Sequence, residues 1–276
     1  MVKKILRLWS IYARMDAMWL MRDFNRFVLY ATTDVLINVA SVMGIWLIAT
    51  RFDGIGGMTV HQLLFMLGYS ITVGGVTFSL FGFNVFHISR KIGRGQMDHV
   101  LIMPQPIWVT LLTEGFTPVS GGGVFLSGIA VMAFALSKTG NALGAAFLVG
   151  LVACVVLSVA ISVSFSFIWG SLAFYSPTGA EEVCTSVSEF FASLRSFPLN
   201  GVGGLGKVVM LSALPAGLYA WFPSMALMGL SDRVSILWLT AIGLAYFLLV
   251  LIIFKRGLRY YVTNGSYRYF DRGHRR

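Results

Sequence analysis

Charge is what this 276-residue chain has least of. Only 12% of its residues are Asp, Glu, Lys or Arg, while 57% are hydrophobic and the mean hydropathy is +0.79. Soluble domains carry about a quarter charged residues. A larger buried core cannot absorb the difference, because much of the surface would then be apolar. A soluble globular fold is excluded, and a polytopic membrane protein is expected. Cysteine is nearly missing too. Cys154 and Cys184 fall in or beside apolar stretches, which argues against a disulfide framework or a cysteine metal site. The four histidines, His61, His87, His99 and His274, have no H-E-x-x-H or comparable spacing, so no metal is expected. No G-x-S-x-G elbow occurs. No catalytic residue and no cofactor are expected in this chain.

Alternating apolar and polar residues are also lacking, which excludes an outer-membrane barrel pattern. What is present instead is a series of continuous apolar runs. A helix needs about 20 mainly apolar residues to cross a hydrocarbon core of about 30 Å. Six stretches are expected to do so: 27–50, 60–88, 107–136, 142–174, an irregular one from about 183, and 234–254. The domain reading is an interface segment at 1–26, a six-span domain at 27–254 with a loop at 89–106, and a basic tail at 255–276.

The excess of cations follows this division. Lys3, Lys4, Arg7, Arg14, Arg22 and Arg26 precede the first span. Arg90, Lys91 and Arg94 lie between the second and third, and Lys255, Arg256, Arg259, Arg268, Arg272, Arg275 and Arg276 follow the last. With six spans these regions share one side, and the positive-inside rule makes it the cytoplasm. Both termini are then cytoplasmic, and the net charge of +10 belongs to anionic lipid rather than nucleic acid. The start of the chain lacks the uninterrupted apolar core and cleavage site of a secretory signal. Ile5, Leu8, Trp9, Tyr12, Met15 and Trp19 recur at helical spacing opposite Lys4, Arg7 and Arg14. That pattern predicts an amphipathic helix in the headgroup layer, bending into the first span at 23–25.

Polar residues inside the spans are few. Asp34 and Asn38 stand one helical turn apart in the first, and Glu114 falls early in the third, before Pro118 and Gly121-Gly122-Gly123. Ionisable groups at membrane depth face a bundle interior, a partner charge or a wet cavity. These three are candidates for a translocation path. The alternative is packing, or a carboxylate reaching the headgroups: Asp34 is about 12 Å along the helix from Arg26 at 1.5 Å per residue. The fifth stretch carries Glu181, Glu182, Glu189 and Arg195, then Pro198, four glycines, Pro215 and Pro223. A helix followed by a re-entrant hairpin on the external side is expected, with Arg195 and Lys207 near that interface. Within it, GVGGLGK at 201–207 matches part of a phosphate-binding loop, but Val208 stands where the Mg²⁺-binding hydroxyl is needed. A flexible turn is expected there.

The loop RKIGRGQMDHVLIMPQP, residues 90–106, poses the sharpest question, because Val100-Leu101-Ile102-Met103 is an apolar run in a connection. Such a run needs a cover. Asp98 can cap a short helix, Gly93 and Gly95 allow sharp turns, and Pro104 ends it. One cover is the headgroup layer beside Arg90, Lys91 and Arg94.

The other cover comes from a resemblance. IGRGQMDHVLIMPQP is similar to a Gly-x-x-Asp-x-x-Leu-x-x-Pro loop, and FPLNGVGG, LPAGLYAWFPSMALMG and FKRGLRYYVTNGS flank the last span. With the order of elements, the chain resembles the membrane subunit of an ABC-2-type ATP-binding-cassette transporter. The resemblance implies an all-α integral membrane fold of six transmembrane helices. It adds an N-terminal amphipathic interface helix, a cytoplasmic coupling helix between spans 2 and 3, and a broken, re-entrant segment before span 6. It implies two permease chains, identical or closely related, and two separate ATP-binding subunits that hold ATP and Mg. In that arrangement the ATPase covers the run 100–103, and a drug, lipid, glycan or peptide-like substrate moves outward across a bacterial inner membrane. The rival reading is an ATP-independent secondary transporter or channel, which would favour paired polar residues in broken helices and inverted repeats.

Overall fold

The structure, a computed structural model, describes residues 2–139, 144–231 and 233–265. Arg268, Arg272, His274, Arg275 and Arg276 of the basic tail lie outside the described residues. Among those described there are helices and no strands, apart from one isolated bridge between Ile55 and Met58.

Helix α1 (Val2–Arg22) gives way at Asp23 to α2 (Phe24–Arg51), and α3 (Val60–Phe86) follows after a short connection. The connection that follows holds two short helices, α4 (Ile88–Gly93) and α5 (Met97–Ile102). Next come α6 (Ile107–Thr113), α7 (Pro118–Thr139), and α8 (Ala145–Gly170), which tightens into a 3₁₀ turn at Ser171–Phe174. Helix α9 (Pro177–Leu194) precedes α10 (Gly204–Leu211), a π turn at Gly217–Trp221, α11 (Phe222–Leu227) and the long α12 (Arg233–Asn264).

Five of these segments are long and apolar enough to cross a membrane: Phe24–Arg51, Val60–Gly82, Pro118–Thr139, Ala145–Phe174 and Thr240–Asn264. Three expectations change. The third run is two helices, because the chain breaks at 114–117 and restarts on Pro118, whose missing N–H suits a first helical turn. The fifth, α9, does not reach the apolarity of a span, since its 18 residues include Glu181, Glu182 and Glu189. The glycine-rich 201–207 segment is also more ordered than a flexible turn, with α10 starting at Gly204 and enclosing Lys207.

The bundle is built on α3 and α7. A Cβ on Gly75 would meet the Phe125 backbone at 2.4 Å, and one on Gly128 would meet the Thr72 backbone at 2.4 Å. Small residues let the two backbones approach, which is how helices associate where lipid gives no hydrophobic drive. A core of Phe65, Met66, Tyr69, Met132, Phe165 and Tyr219 joins this pair to α8 and the π turn. A second core, with Ile88, Ile92, Met97, Val100, Phe167, Phe174 and Phe254, fixes the 88–102 connection to α8 and α12. Helix α2 is different: none of its spanning window is buried, and Leu29, Leu36, Ile37 and Leu47 are exposed along it, while Val42 and Ala49 reach the core.

Candidate functional site

The 88–102 connection is braced by its own cations. Arg90 Nε donates to Glu181 Oε1 at 2.7 Å and Arg94 Nη2 to the same oxygen at 3.4 Å. Lys91 donates to Glu114 Oε2, which stands at the end of α6. Two loop arginines thus grip the first turns of α9, and the buried Lys91 grips the break in the third run. Each exposed pair contributes little alone, but a shared carboxylate fixes relative position. Gly95 adopts φ +68°, the left-handed turn that glycine permits. Gly93 lies so close to α9 that a Cβ would meet Pro177 O at 2.9 Å.

The apolar run in this loop divides. Val100 is 2% exposed in the chain's own second core, and Leu101 packs against the same core. Ile102 is 79% and Met103 41% exposed, followed by exposed Pro104. Asp98 does not cap α5: it sits inside the first turn, and its Oδ1 accepts from the Tyr261 hydroxyl at 2.7 Å. The cap position falls instead on Gln96, without a side-chain bond. Of the four residues expected to need an external cover, only Ile102 and Met103 remain bare.

Two backbone breaks face each other just beyond. Gly82 in α3 has φ +52°, and a Cβ there would meet Gly115 O at 2.7 Å. The kink frees carbonyls of α3, and the opposite break answers them. Thr117 N–H donates to Ser79 O at 2.9 Å and Thr117 Oγ1 to Phe78 O at 3.2 Å. Irregular backbone at membrane depth survives only with such internal partners.

Helix α1 closes the same region. Asp16, 7% exposed, accepts from the N–H groups of Val119 (2.8 Å) and Ser120 (3.1 Å) and from the Ser120 hydroxyl. It therefore satisfies the open N-terminus of α7 from another helix, where a carboxylate also suits the dipole. Trp9 stacks on Phe116 at 5.2 Å between ring centroids. Burial, and then the charge of Glu114, push the Tyr12 hydroxyl above its ordinary pKa. The amphipathic pattern marks this face through Ile5, Leu8, Trp9, Tyr12 and Trp19, and Asp16 lies in the same register. A charge among the apolar positions of an amphipathic helix was the available signal. Met15, assigned to that face, points outward.

The three path candidates are not brought together. Asn38 uses its amide locally, donating to Asp34 O at 2.9 Å. The Asp34 side chain borders a cavity of about 470 Å³ between α1, α2 and the two breaks. Glu114 is engaged with Lys91. Helix α9 adds further polar residues. Glu182, Thr185, Glu189 and Ser193 are exposed along it at helical spacing. Arg195, expected near the external interface, lies against Gly74 in the middle of α3. It donates to the Tyr219 hydroxyl at 3.3 Å and stacks over that ring at 5.2 Å. Its Nε is buried without a hydrogen-bond partner.

Five helices long and apolar enough to cross a membrane define the class as a multi-pass membrane protein. Residues 35–265 match the sequence model of a family described as ABC-2 family transporter protein, and the chain belongs to that family. It is thus a membrane component of ABC transport. No curated protein and no solved structure matches the chain significantly.

Proposed function

We propose that the chain is the permease subunit of an ABC exporter, pairing with a second permease chain and with two ATP-binding subunits that bind ATP and Mg. The observation that carries this reading is the loop at 89–106. It is tied to the bundle by Arg90, Lys91 and Arg94 on Glu181 and Glu114 and by the burial of Val100, yet it presents Ile102 and Met103 bare beside Pro104. An anchored lever with an apolar tip is what an ATPase needs to move a membrane bundle. Val100, Leu101, Gly93, Gly95 and Asp98 shape and anchor the lever rather than touch the partner. Closure of the ATPases on ATP would push two such levers and shift α9 and the break at 114–117 with them. The basic connection and tail favour this end of the bundle on the cytoplasmic side of a bacterial inner membrane. Helix α9 and the turns up to Leu227 then form the fifth crossing in chain order, bringing the total to six, and its re-entrant external hairpin. Asp34, Asn38 and the exposed polar residues of α9 line the path, and Glu114 works at its cytoplasmic edge.

The test is native mass spectrometry of the chain gently extracted from its own membrane, with Ile102→Asp beside wild type. Two permease chains with two ATP-binding subunits are expected, and the variant should insert normally but lose the ATPases. Leu101→Asp is a poorer probe because Leu101 packs within the chain. A wild-type protein that never carries an ATPase, even after cross-linking at position 102, would return the ATP-independent transporter to first place.

A further inference from the structure

The cavity beside Asp34 has a chemistry of its own. Its walls include Trp19, Tyr30 and Phe78, with Trp19 and Tyr30 stacked at 6.4 Å between ring centroids. Asp34, Thr117 and Ser120 supply its polar edge. Both hydroxyl protons are already committed, that of Ser120 to Asp16 and that of Thr117 to the Phe78 carbonyl. Their oxygens can therefore offer only lone pairs to the cavity. The N–H groups of α7 that might have welcomed an anion are taken by Asp16. No Lys, Arg or His lines the space, and among the described residues no ion pair or hydrogen bond reaches the Asp34 carboxylate. At about 470 Å³ it is of ligand size.

We propose that this cavity is a binding site for an amphiphilic organic cation, held by Asp34 and by the faces of Trp19 and Tyr30. Aromatic faces attract a cation through their quadrupoles, and because Asp34 and Tyr30 are exposed along α2 the site opens to the side of the bundle. A carboxylate at membrane depth supplies the charge that such a ligand needs to leave water. The two backbone breaks form the far wall, so an occupant would touch the joint that the coupling loop moves. In this last respect the inference rests on the permease reading above; the binding chemistry does not.

The experiment is equilibrium binding of tritiated tetraphenylphosphonium to the full-length chain in lipid nanodiscs without nucleotide, with empty nanodiscs subtracted. Tetraphenylborate, an anion of the same shape, is the comparison. Saturable binding of the phosphonium is expected, with little saturable binding of the borate. Asp34→Asn should weaken phosphonium binding by about tenfold or more and Trp19→Ala by severalfold, while Asp34→Glu retains it. Equal affinity in monodisperse Asp34→Asn or Trp19→Ala protein, or borate bound as tightly as phosphonium, would overturn the proposal. A short-chain phosphatidylcholine that displaces the phosphonium, where the matching phosphatidylglycerol does not, would make a lipid headgroup the occupant. No displacement would make it a free cation, and the site stands in both cases. Because no ATPase or nucleotide is needed, failure here leaves the permease reading intact, and loss of ATPase pairing leaves this binding intact.

Discussion

Lys91 and Glu114 are 23 residues apart and meet where the connection re-enters the bundle. The lysine side chain is only 10% exposed and the glutamate 33%. Removing one partner leaves a poorly solvated charge without its counter-ion, which costs more than the pair itself contributes. Lys91→Met should therefore destabilise by about 2 kcal/mol, below the fully buried case because Glu114 is partly wet. Lys91→Met with Glu114→Gln should recover most of that loss. Thermal unfolding midpoints of the purified variants would order them wild type, double, single. If the single variant melts with the double or above it, the pair is merely a surface contact. Asp16 makes the same kind of contact without a cation: it answers the amides of α7.

At the scale of elements, the triplet Gly121-Gly122-Gly123 separates packing from propensity. A Cβ on Gly121 would meet Ser79 Oγ at 2.3 Å and its backbone N at 2.8 Å, whereas Gly122 and Gly123 have open space. Gly121→Ala should push α7 off α3 and cost about 1–3 kcal/mol as overpacking. Gly123→Ala should stay within about 1 kcal/mol of wild type, on the stabilising side, because alanine favours helix. Equal effects in a stability assay would mean that the α3–α7 contact is loose. The triplet itself was visible in the sequence, but which glycine touches α3 was not, because the contact depends on the rotation of both helices. The same limit recurs elsewhere. Continuous apolar runs made four spans legible, and Pro118 hinted at the break. The kink at Gly82 that satisfies this break lies more than 30 residues away, and nothing local marks the two as partners. The loop cations were legible as a cluster, but their carboxylates were not, since Glu181 is 91 residues from Arg90. The apolar run at 100–103 was legible as a run. Its division into a buried Val100 and a bare Ile102 needed the direction of α5.

For the molecule as a whole, one carboxylate connects the loop to the helix with the exposed polar face. Glu181 accepts from both Arg90 and Arg94 at the start of α9. Farther along, α9 exposes Glu189 and ends beside Arg195. Under the permease reading, pushing on the loop moves α9 through this joint, while Lys91 and Glu114 carry the push to the break beneath α7. The joint is partly solvated, with Arg90 44% and Glu181 30% exposed, so breaking it should cost folding no more than about 1 kcal/mol. Under the permease reading its role is transmission. Glu181→Gln should insert and assemble like wild type and hydrolyse ATP at a similar rate, yet move less substrate per ATP. A coupling loss of about 1 kcal/mol corresponds to about fivefold. The measurement is the ratio of transport to hydrolysis in proteoliposomes of the assembled complex. A parallel fall in both rates would mean that Glu181 supports ATPase docking. An unchanged ratio would mean that α9 moves independently of the loop, leaving the Lys91–Glu114 contact as the route by which the push enters the bundle.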